Sequence, residues 1–177
     1  RRLLNEVRAA TRVRYADVRA LKARWLRRAY QRFVDDEIAR ETGRATAFRD
    51  YEARESWWLD AYATFRAMHA AREERAWWDW EPSLAFADAA AVREAAAGLA
   101  EERRYRAWLQ WIAEGQWQAA RAAAAVRVFG DLPYMISGDS PDVWTRRQEF
   151  MLDATVGVPP DAFSDTGQDW GLPPWRW

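Results

Sequence analysis

Over most of the chain the apolar positions recur every three to four residues, the period of a helix with one buried face. From Tyr15 to Arg40, Val18, Leu21, Trp25, Phe33 and Ile38 keep that spacing with Arg and Asp between them, which predicts a helix. Residues Arg2 to Arg14 are a polar, Arg-rich lead-in with the length of one short helix. Thr42-Gly43-Arg44-Ala45-Thr46 breaks the pattern, and a second helix is expected from Ala47 to Arg75 on the stripe Phe48, Tyr51, Trp58, Ala61, Phe65 and Met68. Trp77-Trp78-Asp79-Trp80-Glu81-Pro82 reads as an aromatic turn closed by proline. A third helical stretch runs from Asp88 to Ala124, Ala-rich at first and then carrying Leu99, Trp108, Trp111, Ile112 and Trp117. Gly98 and Gly115 are expected within it, at about 1 kcal/mol each relative to Ala. At Val126 the texture changes. Val126, Val128 and Phe129 form a short β-favouring run that Gly130 and Pro133 close, predicting one strand. Beyond it come Gly, Pro, Asp, Ser and single aromatics, the composition of ordered binding loops.

Composition narrows the function. The 177 residues suffice for one core, and 27 Lys+Arg balance 27 Asp+Glu, so no global basic field invites nucleic acid. Lys22 is the only lysine, an Arg bias that with the Ala runs fits a GC-rich genome. Cysteine is absent, which removes disulfides and thiolate metal sites and suits a cytoplasmic protein. The sequence contains neither a signal peptide nor an apolar run of membrane length. It opens on Arg1 without an initiator Met and stops at Trp177, which reads as a piece of a longer protein.

Three chemistries are disfavoured by residue type and spacing. His69 is the only histidine, so Ser–His catalysis and a multi-histidine metal site cannot be built. Asp139, Asp142, Asp153, Asp161, Asp165 and Asp169 do not follow calcium-loop spacing, and no metal site is expected. Glu73-Glu74 and Glu101-Glu102 are helix neighbours that point different ways, so neither pair can flank a scissile bond. Two candidates for ligand contact remain. Asp131 ends the expected strand, where it is either a turn cap or an acceptor for a ligand hydroxyl pair. Of the 13 tryptophans, Trp25, Trp58, Trp108 and Trp111 fall at helical spacing and are expected in the core. Trp170 is flanked by Gly167, Gly171 and Pro173, so no helix places it, and a ligand-facing role is expected.

Four ordered motifs carry a family resemblance. They are Gly130-Asp131-Leu132-Pro133, Asp139-Ser140-Pro141-Asp142-Val143-Trp144, Gly157-Val158-Pro159-Pro160-Asp161 and Phe163-Ser164-Asp165-Thr166-Gly167-Gln168-Asp169-Trp170-Gly171. In this order they resemble the 4-alpha-glucanotransferases, the amylomaltases or disproportionating enzymes of glycoside hydrolase family 77. Phe48-Arg49-Asp50-Tyr51, the run Trp57 to Phe65, and Leu99-Ala100-Glu101-Glu102 leading to Gln110-Trp111 and Gln116-Trp117 extend the resemblance to nearly the whole chain.

The resemblance implies a mainly α chain from a (β/α)8-barrel parent with inserted helical subdomains. Residues 1–86 would be the helical insertion, 87–133 one barrel helix and strand, and 134–177 an incomplete loop subdomain over the glucan cleft. It implies an aspartate nucleophile, a glutamate acid/base and a second, stabilising aspartate, all on later strands outside this chain. The parent would transfer α-1,4-glucan segments between maltooligosaccharides with retention and without a cofactor, and the 177 residues would contain no catalytic group. The implied substrate-binding residues are Asp131, Asp161, Phe163, Gln168 and Trp170. Ala162 stands where the family usually has tyrosine, and the loop between Asp153 and Val156 is shorter than usual. A non-catalytic helical interaction or carbohydrate-binding module, even one for nucleic acid, stays open as the alternative. The balanced charge speaks against nucleic acid and the ordered motifs against a plain scaffold.

Overall fold

A computed structural model describes residues 2–177. The chain is mainly helical. It divides into two compact units, residues 1–54 and 55–177.

In the first unit, α1 (Arg2–Ala9) precedes α2 (Tyr15–Phe33), which continues into a π-helical turn at Val34–Ile38. Only Tyr30 and Phe33 of α2 are buried. Phe33 meets Phe48 edge-on at 5.7 Å, in a geometry aromatic quadrupoles favour. Trp25 is not in the core. It is 55% exposed, with the Arg28 guanidinium 5.2 Å from its ring centre. Helical spacing identifies a face, but burial also needs close packing against that face, and the buried residues of α2 lie only at its C-terminal end. The expected break at Thr42–Thr46 is shorter than the sequence implied. The Thr42 hydroxyl accepts from the Ala45 N–H at 3.4 Å, and α3 (Gly43–Ala71) starts at once.

The second unit contains the rest of α3, α4 (Pro82–Ala85), α5 (Ala89–Gly98), α6 (Ala100–Ala123) and α7 (Pro141–Thr145). Single 3-10 turns lie at Trp77–Asp79 and Arg147–Glu149. The stretch expected as one helix from Asp88 to Ala124 is two. Asp88 caps the first, accepting from Ala90 and Ala91 N–H at 3.0 and 2.9 Å. Gly98 ends it, as glycine commonly does at a helix C-terminus, rather than being absorbed inside. Gly115 does lie within α6. Phe65 and Met68 of α3, Trp77 and Trp80 of the aromatic turn, Leu84, Ala96, and Val143, Trp144 and Phe150 form the core. Trp144 is 2% exposed, and its indole N–H donates to the Leu84 carbonyl at 2.8 Å. Trp108 is buried as expected, while Trp58 and Trp111 are half-buried.

The strand expected at Val126–Phe129 is not formed. Residues 124–134 run as an irregular, fully exposed segment. A strand satisfies its backbone donors and acceptors only through neighbours, and the described residues provide none there. The strands that exist are β1 (Gly157–Val158) and β2 (Gln168–Asp169), a short antiparallel pair in the register Gly157↔Asp169 and Val158↔Gln168.

Candidate functional site

Four of the five candidate residues lie on one loop structure built by the β1–β2 pair. Two glycines permit it. A Cβ on Gly157 would stand 2.2 Å from the Gln168 carbonyl oxygen. Gly167 has φ +73°, and a Cβ there would stand 2.5 Å from the Val158 carbonyl oxygen. Between the strands, Asp161 organises the loop tip. Its Oδ1 accepts from the Phe163 and Ser164 N–H groups at 2.8 and 2.9 Å, an Asx turn. The Ser164 hydroxyl donates to the Gly167 carbonyl at 2.7 Å and closes the turn. Phe163 is left at the tip, 95% exposed.

Gln168 and Trp170 are brought together. The Trp170 indole N–H donates to Gln168 Oε1 at 3.1 Å, and Trp170 is 41% exposed. The backbone fixes this pair, since Trp170 N–H donates to the Val156 carbonyl at 2.9 Å. Asp169 lies between them, and its Oδ1 accepts from the Gly171 N–H at 2.8 Å. Its carboxyl is held below the usual range by the Thr155 side chain first, and by the Gly171 N–H second. Asp131 is not part of this group. It lies exposed in the irregular segment, and no hydrogen bond or ion pair among the described residues links it to Asp161, Phe163, Gln168 or Trp170.

A cleft of about 350 Å³ adjoins the loop, lined by Trp77, Trp78, Gly138, Thr155, Gly171 and Pro173. A smaller one, about 200 Å³, lies between Trp57, Trp58 and Tyr62 of α3 and Asp142 of α7 with the following Arg146. The Asp139–Trp144 motif turns out to build architecture beside the first cleft. Asp139 Oδ1 accepts from the Trp77 backbone N–H at 3.3 Å, and the Gly138 carbonyl accepts from the Trp77 indole at 2.7 Å. Ser140 caps α7, Pro141 occupies its first turn, and Val143 and Trp144 enter the core.

Sequence reasoning missed the partners of His69. Its Nε2 lies 2.9 Å from Asp139 Oδ2 and its Nδ1 2.9 Å from Glu74 Oε2. The single histidine was the available signal, but a contact across 70 positions leaves no local spacing to read.

Chemically, the loop offers a carboxylate, an amide, and two exposed aromatic faces on a preorganised backbone. Acceptors of this kind can meet ligand hydroxyls, and exposed aromatic faces can meet apolar ring faces.

The family model described as 4-alpha-glucanotransferase matches residues 1–177. The chain is 38% identical over 175 residues to the 4-alpha-glucanotransferase of Thermus thermophilus, and covers 34% of that protein. It is 35% identical over 177 residues to the 4-alpha-glucanotransferase of Synechocystis, again covering 34%. Among solved structures it is similar to an amylomaltase from Streptococcus agalactiae in complex with acarbose. The TM-score there is 0.83 at 28% identity, over 93% of this chain and 34% of that one. The chain therefore belongs to the 4-alpha-glucanotransferase family. It spans about a third of the length of these relatives.

Proposed function

We propose that this chain is part of a 4-alpha-glucanotransferase that moves α-1,4-glucan segments between maltooligosaccharides by a retaining double displacement. The observation that carries the reading is the family match over residues 1–177, joined to a loop on which Gln168 and Trp170 are locked as one unit. The nucleophile and the acid/base belong to the two thirds of the relatives' length that this chain does not cover. Within it, Asp131, Asp161, Phe163, Gln168 and Trp170 contact the glucan. Residues 1–86 are the helical insertion, 87–133 contribute a helix and strand to a (β/α)8 barrel, and 134–177 cover the cleft. Residues 126–129 become a strand when neighbouring barrel strands pair with them. Asp131 then stands at a strand end, where barrel enzymes gather their ligand contacts. Water exclusion by Trp170 and the loop tip favours a sugar acceptor over hydrolysis.

The test is maltotriose disproportionation by the full-length enzyme. Glucose and longer maltodextrins are the expected products, and the 177 residues alone are expected to give none. Glucose and maltose without chain extension would replace transfer by hydrolysis, and no turnover by the full-length enzyme would overturn the reading.

A further inference from the structure

His69 is 6% exposed, packed against the Phe65 ring at 5.3 Å and the Trp80 ring at 6.1 Å. A buried imidazole is tolerated when its nitrogens are satisfied, and both are. Nε2 meets Asp139 Oδ2 and Nδ1 meets Glu74 Oε2, each at 2.9 Å. Arg66 completes the cluster: its Nη2 donates to Glu74 Oε2 at 2.9 Å, and its Nη1, 3.2 Å from Nδ1, is the donor to that nitrogen in the tautomer that does not donate to Glu74. Glu74 reaches back because Glu73 and Glu74 take φ of 57° and 59° after α3 ends. Non-glycine residues adopt that conformation where their surroundings hold it.

Asp139 connects this cluster to the larger cleft. One of its oxygens is held by His69 and the other by the Trp77 N–H. Its neighbour Gly138 accepts from the Trp77 indole, and both Gly138 and Trp77 line the cleft. The helix after this turn has its own anchors, Val143 and Trp144, in the core. What His69 adds is the orientation of the turn, and with it the cleft wall that continues to Thr155 and Gly171.

We infer that His69 is a positioning residue for glucan binding, acting through Asp139 on the Gly138–Trp77 wall of the cleft. The inference rests on the proposed transferase reading. It commits His69 to an effect on substrate binding more than on the chemical step.

Steady-state kinetics of the full-length enzyme with maltotriose test it, using His69→Leu, His69→Gln and Asp139→Asn. Leucine keeps apolar volume and removes both hydrogen bonds, while glutamine keeps an N–H donor. His69→Leu is expected to raise KM about tenfold while kcat changes by less than about threefold, the signature of lost ground-state binding. His69→Gln is expected to return KM to within about threefold of the unsubstituted enzyme. Asp139→Asn is expected to raise KM similarly, with His69→Leu adding nothing to it, since residues acting through one contact are not additive. If His69→Leu does not fold, Asp139→Asn carries the comparison, and an unmoved KM in that variant overturns the role. A lower melting temperature with unchanged KM, no rescue by glutamine, or fully additive effects would each overturn the role. An unsubstituted enzyme without transfer activity would remove the transferase reading itself, whereas an active enzyme with unmoved KM in the variants removes only His69.

Discussion

His69 Nε2 and Asp139 Oδ2 lie 2.9 Å apart across 70 positions of sequence, joining the end of α3 to the turn before α7. The contact turns two unremarkable letters into the fastening between a helix and a cleft wall. On the other side of the same ring, the Glu74 carboxyl is raised by burial, but hydrogen bonds from Arg66 and His69 and their charge outweigh this and hold it below the ordinary range.

That shift has a defined sign. A carboxyl whose folded pKa is depressed contributes stability above its unfolded pKa, which is lost as pH falls through the folded value. The quantity to follow is the difference in melting temperature between the unsubstituted protein and Glu74→Gln. It should shrink below about pH 4.3, the ordinary glutamate value. Glu74 is 53% exposed, so the effect is modest and reduced by salt. A difference that stays constant down to pH 3, by calorimetry, would show that Glu74 ionisation is not coupled to folding.

Arg147 ties the second unit together from another side. Its guanidinium donates to the Ala85 carbonyl at 2.7 Å and the Trp144 carbonyl at 3.1 Å, and also to that of Phe86. The Ala85 and Phe86 carbonyls immediately precede Ala87, which has φ of 52°. Hydrogen bonds to a charged group contribute about 1.5–3 kcal/mol, so Arg147→Ala should destabilise by that order in urea unfolding. Arg147→Lys should recover little, because one ammonium cannot reproduce the planar fork. Full recovery by lysine would assign the effect to charge alone.

Gly157 tests whether the β1–β2 pair presents the loop. Alanine places a Cβ 2.2 Å from the Gln168 carbonyl oxygen, a backbone atom that cannot step aside without opening the pair. Gly157→Ala in the full-length enzyme should raise KM for maltotriose about tenfold or more and leave the melting temperature within about 2 °C, since the loop lies outside the core. A stability loss with unchanged KM would place the pair in the scaffold.

How much of this was legible in the sequence differs by element. The helices were readable because the periodicity of Phe48, Tyr51, Phe65 and Met68 is a local property, and these residues are buried. The same rule failed for Trp25, where the stripe exists and more than half of the residue stays exposed. Gly98 was misjudged because a glycine inside a helix and one ending it look alike until the following residue is seen. The strand at Val126 had correct composition, but strand pairing is a non-local property of other segments. On the loop, Gly157, Asp161 and Gly167 were recognisable as motif letters. Their physical reasons, a carbonyl at the missing Cβ and an Asx turn, became visible only with the β1–β2 register. For His69 the sequence supplied exclusions only, because both its partners are non-helical carboxylates that no spacing rule connects.

The sharpest expectation separates binding residues from core residues within one class of side chain. Trp170 is held by hydrogen bonds to Gln168 and Val156 and remains 41% exposed, whereas Trp108 is 4% exposed. Trp108→Ala removes a buried aromatic and should cost about 3–5 kcal/mol of stability. Trp170→Ala should cost far less, yet weaken glucan binding and raise hydrolysis relative to transfer, because water then competes better with a sugar acceptor. Asp131→Ala should behave like Trp170→Ala in stability. In the full-length enzyme it should lower kcat/KM by roughly ten- to a hundredfold, since it removes a charged acceptor worth about 1.5–3 kcal/mol and each 1.4 kcal/mol is a factor of ten. Melting temperatures and maltotriose kinetics on the three variants decide the matter. If Asp131→Ala and Trp170→Ala melt as early as Trp108→Ala and retain full activity per folded molecule, both residues are structural. Asp131 is then a turn former and Trp170 a packing residue, and the glucan contacts must lie elsewhere on the chain.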